Sequence, residues 1–421
     1  MWEEGKAFKI TQKEVLVAYK AVKANKGAGG VDGIELETFE KDWKNRLYKL
    51  WNRMTSGSYF PQPVRGVEIP KKNGKKRLLG IPTIEDRVAQ TVLKNRLEPK
   101  AEPYFLESSF GYRPHKSALD AVGQARQNCF RYHWGVEFDI VGLFDNIDHE
   151  LLMKMVKAHT DEKWMILYID RSLKAPIKMP DGEVKERTSG TPQGGVIGPV
   201  LANLVMHYTF DQWLTIRYPG CPWERYADDG IIHCKTRNQA IYLLDKLKKR
   251  MKEFGLEIHP EKSKIVHCVR NNEKPLCENI SFEFLGYCFR PRLVKSREGI
   301  FFRSFTPAVS NAGGKAFRDK IRKAIREANT TSIQRLSVKL NPIIRGWMNY
   351  FTKYTSREAF KQGINYVNRA LVCWLEHSRK KVKGSARKAK RLLSQIAGRN
   401  PEMFYHWQVG YMPKKLITRA V

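Results

Sequence analysis

The middle of the chain alternates between the hydrophobic spacing of strands and that of helices. The stretch "GVEFDI" (135–140) alternates as a half-buried strand does, and "HELLMKMVKAH" (149–159) repeats its apolar residues at helical spacing. Two strand patterns flank an Asp-Asp-Gly turn at 228–230, and an amphipathic helix is predicted over 238–255. With a short strand predicted at 256–259, the order is β-α-β-β-α-β, which is typical of a ferredoxin-like unit.

The patterns outside this unit predict a hairpin before it and helices after it. Two strand-like runs flank an Asn-Gly pair within residues 64–83, which is the signature of a tight hairpin. Another helix is predicted over 198–214, before the aspartate turn. After about residue 300 the pattern becomes helical and basic, with helices predicted at 315–329 and 332–351. The fold class is therefore α+β with a helical C-terminal third.

The charge of the chain is strongly positive and unevenly distributed. The 421 residues contain 76 Lys and Arg against 43 Asp and Glu, a net charge of +33. From Phe301 onward there are 26 basic and 5 acidic residues. A chain this basic is suited to a polyanion, and nucleic acid is the first candidate. The hydrophobic fraction of 42% is that of a folded protein.

Several classes of protein are excluded by the same composition. The seven cysteines form no C-x-x-C pair and no Cys/His ligand spacing, which argues against a zinc module and a disulfide framework. The N-terminus has no apolar signal core, and the least polar run, 196–210, is too short to span a membrane. We therefore expect a soluble protein of the cytoplasm.

Three aspartates of the central unit are candidate metal ligands. Asp139 lies on a predicted central strand, and Asp228 and Asp229 lie in the neighbouring hairpin turn, so the three carboxylates can converge. Converging carboxylates need a cation, and hard oxygen ligands at an open site suit Mg²⁺. Two such ions roughly 4 Å apart would activate a 3′-hydroxyl and stabilise a leaving pyrophosphate. The alternative is an ordinary surface turn, because "DDG" by itself is common in turns.

The sequence around these acids resembles that of bacterial group II intron-encoded reverse transcriptases with a maturase domain. The blocks occur in the order and spacing of that family, and together they cover nearly the whole chain. They are "NKGAGGVDG" (25–33), "VEIPKKNGKKRLLGIPTIEDRVAQ" (67–90), "SSFGYRPHKSALDAV" (108–122), "FDIVGLFDNIDH" (138–149), "SGTPQGGVIGPVLANL" (189–204), "RYADDG" (225–230), "GLEIHPEKSKI" (255–265), "FEFLGY" (282–287) and "LNPIIRGWMNYF" (340–351).

The resemblance implies a right-hand polymerase fold with fingers and a ferredoxin-like palm. An α-helical thumb or maturase (X) domain and a short basic C-terminal region would follow. The implied domains are 1–135 (N-terminal extension and fingers, with part of the palm), 136–300 (palm), 301–378 (thumb and X domain) and 379–421 (basic tail). Many relatives end in an HNH-type endonuclease with cysteine pairs, which this sequence does not contain, so we expect no cleavage of a second DNA strand.

The implied activity is that of an RNA-directed DNA polymerase, a nucleotidyltransferase that extends a primer on an RNA template by a two-metal-ion mechanism. The cofactor would be two Mg²⁺ ions, with Mn²⁺ able to substitute. The implied partners are dNTPs, an RNA template, a DNA or RNA primer, group II intron RNA and target DNA, with roles in splicing and retrotransposition. The enzyme would be cytoplasmic, and nucleoid-associated when bound to DNA.

Two alternatives remain at this stage. One is a splicing maturase that binds RNA and polymerises only secondarily, and the other is a domesticated relative in DNA repair or phage defence. The sequence leaves a monomer and a dimer equally open.

The family motifs assign roles to individual residues around the implied palm and fingers. Metal ligands would be Asp139, Asp228 and Asp229 with the backbone of Ile140. Lys262 would be the proton donor to pyrophosphate or a phosphate contact, with Lys264 as the other candidate. The dNTP would meet Lys71, Arg77, Gln193 and Phe144, whose ring would exclude a 2′-hydroxyl. Primer and template contacts would be Tyr226, Gly194, Gly195, Lys26, Gly27 and Arg113, for which a structural salt bridge is the alternative.

The basic third of the chain supplies candidate RNA or DNA contacts. On the predicted thumb helices these are Lys315, Arg318, Arg322, Lys323, Arg326 and Arg345. In the tail they are Arg379, Lys380, Lys381, Lys383, Arg387, Lys388, Lys390 and Arg391, and a solvated arm is the alternative there. Trp347 and Tyr350 are three residues apart on one helix face, a spacing that favours core packing over stacking on RNA.

Overall fold

The computed structural model describes residues 7–70, 76–271, 273–296, 298–328, 332–355, 357–378 and 382–413. The chain divides into two compact units. The first unit contains Met1–Ala121 and Trp134–Ile265, and the second contains Val122–His133 and Val266–Val421.

Helices and strands are interspersed through the first two thirds of the chain. The helices are α1 (Gln12–Asn25), α2 (Leu36–Glu40), α3 (Trp43–Ser56), α4 (Ile84–Ala101), α5 (Ala118–Arg131), α6 (Leu143–Asn146), α7 (His149–Lys157), α8 (Lys163–Lys174), α9 (Gly198–Met206), α10 (Gln212–Arg217), α11 (Arg237–Glu253), α12 (Asn311–Glu327), α13 (Ile333–Phe351), α14 (Arg357–Ser378), α15 (Ala386–Arg399) and α16 (Tyr405–Gln408). The strands are β1 (Val64–Pro70), β2 (Lys76–Ile81), β3 (Trp134–Asp139), β4 (Ile177–Lys178), β5 (Val184–Lys185), β6 (Trp223–Tyr226), β7 (Asp229–Cys234), β8 (Lys264–His267), β9 (Phe282–Phe284), β10 (Tyr287–Lys295) and β11 (Phe301–Val309).

The central sheet has the strand order β6-β7-β3-β8. Strand β7 is antiparallel to both β3 and β6, so the hairpin formed by β6 and β7 lies beside β3 as the pattern predicted. Val136 and Phe138 of β3 are buried, and the Phe138 ring packs 4.9 Å from that of Phe210. This apolar face fixes the strand register, and with it the position of the residues at the strand ends.

The last strand of the central unit is not where the sequence placed it. Residues 256–259 form only an isolated bridge between Ile258 and Ile140, and the strand is β8 instead. The physical reason is that this segment pairs with the backbone at the end of β3 and just beyond it, where His259 N–H donates to Asp139 O at 2.8 Å. Pro260 then follows, and because proline lacks a backbone N–H it cannot extend a ladder.

The predicted helix over 198–214 is present but interrupted in its regularity. Helices α9 and α10 are joined by a π-helical segment, His207–Asp211. A π segment inserts an extra residue into the helix and rotates the side chains that follow it. Asp211 at its end is fully buried.

The predicted hairpin over 64–83 is also present. Strands β1 and β2 are antiparallel and in register from Arg65–Ile81 to Pro70–Lys76. Residues 71–75, which include the Asn-Gly pair and Lys71, lie outside the described residues. These strands belong to a second sheet of order β2-β1-β4-β5.

The second unit combines a small sheet with the helical region expected at the C-terminus. Helices α12 and α13 confirm the helices predicted at 315–329 and 332–351. The expectation of helices from about residue 300 was wrong for β11, which pairs with β10 over nine residues. This pairing is favoured because Phe282, Phe289 and Phe305 stack in one buried layer on the sheet. Among the described helices, none combines the length and apolar character that a bilayer crossing needs.

Candidate active site

The end of the central sheet brings the three aspartates together through the backbone. Asp139, the last residue of β3, is the direct cross-strand partner of Asp229, the first residue of β7. Asp228 precedes it in the turn, and its carbonyl accepts the Ile140 N–H at 3.2 Å. Buried Ile140 therefore contributes its backbone to the same corner of the sheet. We call Asp139, Asp228 and Asp229 the aspartate cluster.

The electrostatics of the aspartate cluster are unfavourable for three ionised carboxylates. Burial raises the pKa of Asp229 well above its ordinary value, and Glu137, Asp228 and Asp139 raise it further. The pKa of Asp228 is also raised, first by burial and then by Asp139. Low-dielectric surroundings and like charges both disfavour ionisation. A donor set of this chemistry fits hard divalent cations, which would offset the repulsion.

Two lysines that follow the predicted 256–259 strand neutralise part of this negative charge. Lys262 Nζ lies 2.8 Å from Asp139 Oδ2, while Lys264 Nζ lies 3.4 Å from Glu137 Oε2. Of the two lysine candidates, Lys262 is therefore the one in contact with the aspartate cluster. Glu137 was not identified from the sequence, although it stands two residues before Asp139 and so shares its strand face.

A cavity of about 200 Å³ gathers most of the residues expected at a nucleotide. Its lining includes Arg77, Phe144, Gln193, Gly194 and Gly195. Arg77 Nε donates to Gln193 Oε1, and Gln193 Nε2 donates to Asp145 Oδ2 at 2.7 Å. We call this cavity the nucleotide pocket, after the role that the resemblance implies for its residues. The expected contact Lys71 lies outside the described residues.

Gly194 is required by the backbone of the nucleotide pocket. Its φ of +128° is in the region that disfavours a side chain, and a Cβ there would lie 2.7 Å from Gly80 O. The close approach lets the 193–195 segment lie directly on β2, since Gly80 N–H donates to Gln193 O at 3.0 Å.

Tyr112 is a pocket residue that the sequence did not single out. It lines the nucleotide pocket, has a φ of +57°, and its ring lies 5.9 Å from that of Tyr226. Burial, followed by Tyr226 and Asp228, raises the pKa of its phenol. Its place in "SSFGYRPH" was the available signal, but in that block the template contact was assigned to the neighbouring cation Arg113.

Arg113 occupies a structural position instead. Its side chain is buried, its Nη2 lies 2.7 Å from Glu102 Oε1, and its Nη1 donates to Ser109 O at 2.8 Å. These bonds use the guanidinium within the protein, as the salt-bridge alternative describes. Lys26 and Gly27 follow α1, where Arg87 Nη1 donates to Lys26 O at 3.3 Å.

In the second unit, the expected thumb cations lie on the surface of α12 and α13. Lys315, Arg322, Lys323, Arg326 and Arg345 are exposed, and Arg318 is half-buried. Trp347 has the core role that its spacing favoured. Its indole stacks between Phe317 and Phe360, at centroid distances of 4.3 and 4.9 Å.

The basic tail contains a folded helix rather than a solvated arm over 386–399. Ala389, Leu393 and Ala397 of α15 are buried. The helix packs on α14, and a groove of about 590 Å³ includes residues of both helices. The exposed tail cations are Lys383, Arg387, Lys388, Lys390 and Arg391, whereas Arg379, Lys380 and Lys381 lie outside the described residues.

One other cluster in the described part of the second unit has metal-ligand chemistry. Ligand atoms of His133, His267 and Glu273 all lie within 4.8 Å of one another. However, His267 Nδ1 accepts the Leu276 N–H at 3.3 Å. A neutral imidazole then carries its proton on Nε2, the nitrogen that faces Glu273, so Nε2 acts as a donor toward Glu273 and not as a metal ligand.

Comparison with known proteins agrees with this geometry. Residues 69–289 match the family described as reverse transcriptase (RNA-dependent DNA polymerase), and residues 314–393 match the group II intron, maturase-specific domain. Protein YkfC of Escherichia coli (strain K12) is 30% identical over 329 residues, which cover 68% of this chain and 82% of YkfC.

Two further similarities are weaker, one in the length aligned and the other in sequence identity. The group II intron-encoded protein LtrA of Lactococcus lactis subsp. cremoris is 38% identical over 192 residues, 45% of this chain but only 32% of LtrA. A solved structure of telomerase from Candida albicans, in complex with a fragment of telomeric RNA, aligns with a TM-score of 0.46 at 11% identity. That alignment covers 89% of this chain and 67% of the telomerase chain.

Proposed function

The chain belongs to the reverse transcriptase (RNA-dependent DNA polymerase) family and carries a group II intron maturase domain, and we propose that it extends a primer with dNTPs on an RNA template. The observation that carries this proposal is the cross-strand pair of Asp139 and Asp229 with Asp228 in the adjoining turn. Their crowding leaves negative charge that the protein offsets only in part. The nucleotide pocket belongs to the same unit.

The aspartate cluster and the backbone of Ile140 are proposed to hold two Mg²⁺ ions, for which Mn²⁺ could substitute. When bound, such ions lower the pKa of a primer hydroxyl and neutralise charge on the leaving group. The raised pKa values of Asp228 and Asp229 support this assignment, because a bound cation would offset the burial and the like charges that disfavour their ionised forms.

The nucleotide pocket is proposed to hold the incoming dNTP. Arg77, with Lys71 on the other side of the Asn73-Gly74 turn in the sequence, would contact the triphosphate, where negative charge builds during transfer. Phe144 is half-buried on the pocket wall, where its ring would exclude a 2′-hydroxyl. Gln193 and Gly194 would lie against the nascent base pair, and Tyr226 beside the primer end.

Lys262 is proposed to act on the pyrophosphate. Its ammonium lies 2.8 Å from Asp139 Oδ2 and its side chain is 58% exposed, so it can exchange this partner for a phosphate oxygen. Either role, proton donor or electrostatic contact, needs the ammonium near the aspartate cluster. A Lys262→Arg variant separates the two, because arginine keeps the charge but does not donate a proton readily.

Primer extension on a long RNA template with dNTPs and Mg²⁺ tests the proposed polymerase. We expect full-length cDNA from the wild type and none from Asp228→Ala. Asp245→Ala, an exposed aspartate of α11 paired with Lys249, is the matched control and should extend normally. If Asp228→Ala were as active as the control, the assignment of the aspartate cluster would be wrong.

A maturase role is proposed for the second unit on a separate observation. Exposed cations of α12, α14 and α15 surround two open grooves of about 810 and 590 Å³, which share Arg369 and Cys373. Cationic surface around stacking side chains such as Tyr366 and Trp374 suits structured RNA. We propose that residues 301–378 act as thumb and X domain and 379–421 as a nucleic-acid contact, with intron RNA and target DNA as partners.

A further inference from the structure

Arg225 is a fully buried charge of the first unit, and every donor of its guanidinium is bonded within the protein. Its side chain is 0% exposed, and it forms a bidentate ion pair with Asp211, Nε to Oδ1 at 2.8 Å and Nη2 to Oδ2 at 2.7 Å. The remaining donors reach Ser109 Oγ at 2.8 Å, Asn203 Oδ1 at 3.2 Å and Ala227 O at 3.0 Å. All five N–H groups of the guanidinium are therefore used.

The bond to Ala227 holds a strained part of the backbone. Ala227 has a φ of +59°, a left-handed conformation that is unfavourable for a residue with a Cβ. It stands between Tyr226 and Asp228, so its conformation sets the direction in which the aspartate turn leaves β6. Strain of this kind persists only where surrounding contacts enforce it. The Arg225 guanidinium is such a contact.

The same arginine joins the turn to the segment that carries Tyr112. The backbone N–H of Arg225 donates to Ser108 O at 3.0 Å, and the backbone N–H of Phe110 donates to Arg225 O at 2.9 Å. Gly111 packs on the turn so closely that a Cβ would lie 2.5 Å from the Ala227 nitrogen. The Ser108–Gly111 backbone is thereby fixed against the hairpin, and Tyr112 follows directly.

Helices α9 and α10 complete the arrangement. Asn203 accepts from Arg225 through Oδ1 and donates through Nδ2 to Gly111 O at 2.7 Å. Asp211 is aimed at Arg225 from the end of the π-helical segment, and π segments are frequent at functional sites. Three separate parts of the chain therefore meet on one guanidinium.

We propose that Arg225 is a positioning residue for catalysis, which acts by fixing the turn of Ala227 and Asp228 relative to Asp139 and Tyr112. The inference rests on the proposed polymerase function, and Arg225 itself is 0% exposed with its donors bonded inside the protein. A purely structural ion pair would stabilise the fold without setting the geometry of the turn. The two roles differ in what their loss does to the folded enzyme.

The hairpin contains a matched control for a purely structural pair. Glu224 Oε2 and His233 Nε2 lie 2.7 Å apart, both side chains are 0% exposed, and this pair joins β6 to β7. Glu224→Gln should therefore report what loss of a buried pair in this hairpin does to stability alone.

The test uses two Arg225 variants because the simplest truncation would leave Asp211 buried and unpaired. Arg225→Met combined with Asp211→Leu removes both charges, which buried sites commonly tolerate. Arg225→Lys keeps a charge for Asp211, but a single ammonium cannot also reach Ala227. Each variant is melted by circular dichroism, and extension is measured well below the melting temperature.

We expect both Arg225 variants to lose about 100-fold in kcat, the scale of an ångström-sized misplacement of reacting groups. They should need more Mg²⁺ for half-maximal rate, while the Kd for primer–template stays unchanged. Glu224→Gln should keep its kcat and Mg²⁺ dependence even where its melting temperature falls equally. If both Arg225 variants match Glu224→Gln in these two quantities, the positioning role is wrong.

Hydrogen exchange separates this inference from the proposed function. Backbone amides of residues 227–230 should exchange faster in both Arg225 variants than in the wild type and in Glu224→Gln. This readout needs no catalytic activity. An inactive wild type with this exchange pattern would overturn the proposed polymerase function but keep the role of Arg225 in fixing the turn. An active wild type without this pattern would keep the polymerase function and overturn the role of Arg225.

Discussion

The end of the central sheet and the helices of the second unit distribute charge in opposite ways. In the sheet, Asp228 and Asp229 are held where burial and neighbouring carboxylates raise their pKa values. In the second unit, cations such as Arg326 and Lys390 face solvent, while aromatic rings stack in the interior. In the sheet, bound cations would offset the repulsion between the carboxylates. In the second unit, the interior is largely apolar and these charged side chains face solvent.

The two regions therefore differ in how their charges affect the stability of the free protein. Unfavourable charge inside a fold is retained at sites that bind or react, because it is relieved only in the complex. Exposed cations cost little in the free protein and act through the ion atmosphere of a polyanion. Mutations in the two regions should therefore have different signatures, a loss of rate in one and a loss of affinity in the other.

The largest expected effect is that of Asp139→Ala. Removing one carboxylate of the aspartate cluster should lower extension by about 1,000-fold, comparable to losing a strong electrostatic contact in the transition state. The Kd for primer–template should stay within about twofold, since the binding energy comes largely from phosphate contacts elsewhere. Single-turnover extension and fluorescence anisotropy measure the two quantities. Full extension activity in this variant would remove the contrast between the regions.

The next effect concerns which nucleotide enters the pocket. Phe144→Ala should raise the efficiency of rNTP incorporation relative to dNTP by about 100-fold, the usual scale for discrimination against an added hydroxyl. The reason is that Phe144 lines the nucleotide pocket, where its ring would meet a 2′-hydroxyl. Competitive extension with paired dNTP and rNTP gives the ratio. Leu79→Ala, at another wall of the same pocket, is the control and should change this ratio far less.

Much of the aspartate cluster could be predicted from the sequence because its cause is local. A strand ending in Asp139 and a hairpin turn at Asp228 need only their own hydrophobic patterns, and the sheet confirms their pairing. Gln193 and Phe144 were assigned through the resemblance, and the structure brings both to one cavity.

What the sequence missed depends on contacts between distant segments. The sequence left a salt bridge and a template contact open for Arg113, and both its partner Glu102 and the burial of Arg225 depend on packing that no local pattern encodes. The π-helical segment before α10 looks like ordinary helix in the sequence, although it decides where Asp211 points. The strand at 301–309 was missed because its partner β10 had not been recognised as a strand.

A smaller effect is expected from the cations of the second unit. Arg387→Gln with Lys390→Gln should weaken binding of a structured RNA by about tenfold and lower the slope of log K against log salt by about 1–2. Both residues line the groove beside α14 and are exposed. Lys248→Gln with Lys249→Gln on α11 is the matched control in the first unit. Equal losses from both pairs would mean that RNA contacts are spread over the whole chain.

The smallest effect is the pH dependence of stability that His406 of the second unit contributes. Burial lowers the pKa of His406 to about 3 from its ordinary 6.5, and its Nε2 lies 2.9 Å from Asn368 Oδ1. Below pH 6.5 the unfolded chain therefore binds a proton that the folded chain does not bind. The contribution of His406 to the free energy of unfolding is therefore fully present above that pH and is lost as the pH drops toward 3. We expect the melting temperature to fall by about 2 °C per pH unit between pH 6.5 and 5 on this account. His406→Gln should flatten that slope, whereas His115→Asn on the exposed surface should keep it, and an unchanged slope in His406→Gln would place the acid sensitivity elsewhere.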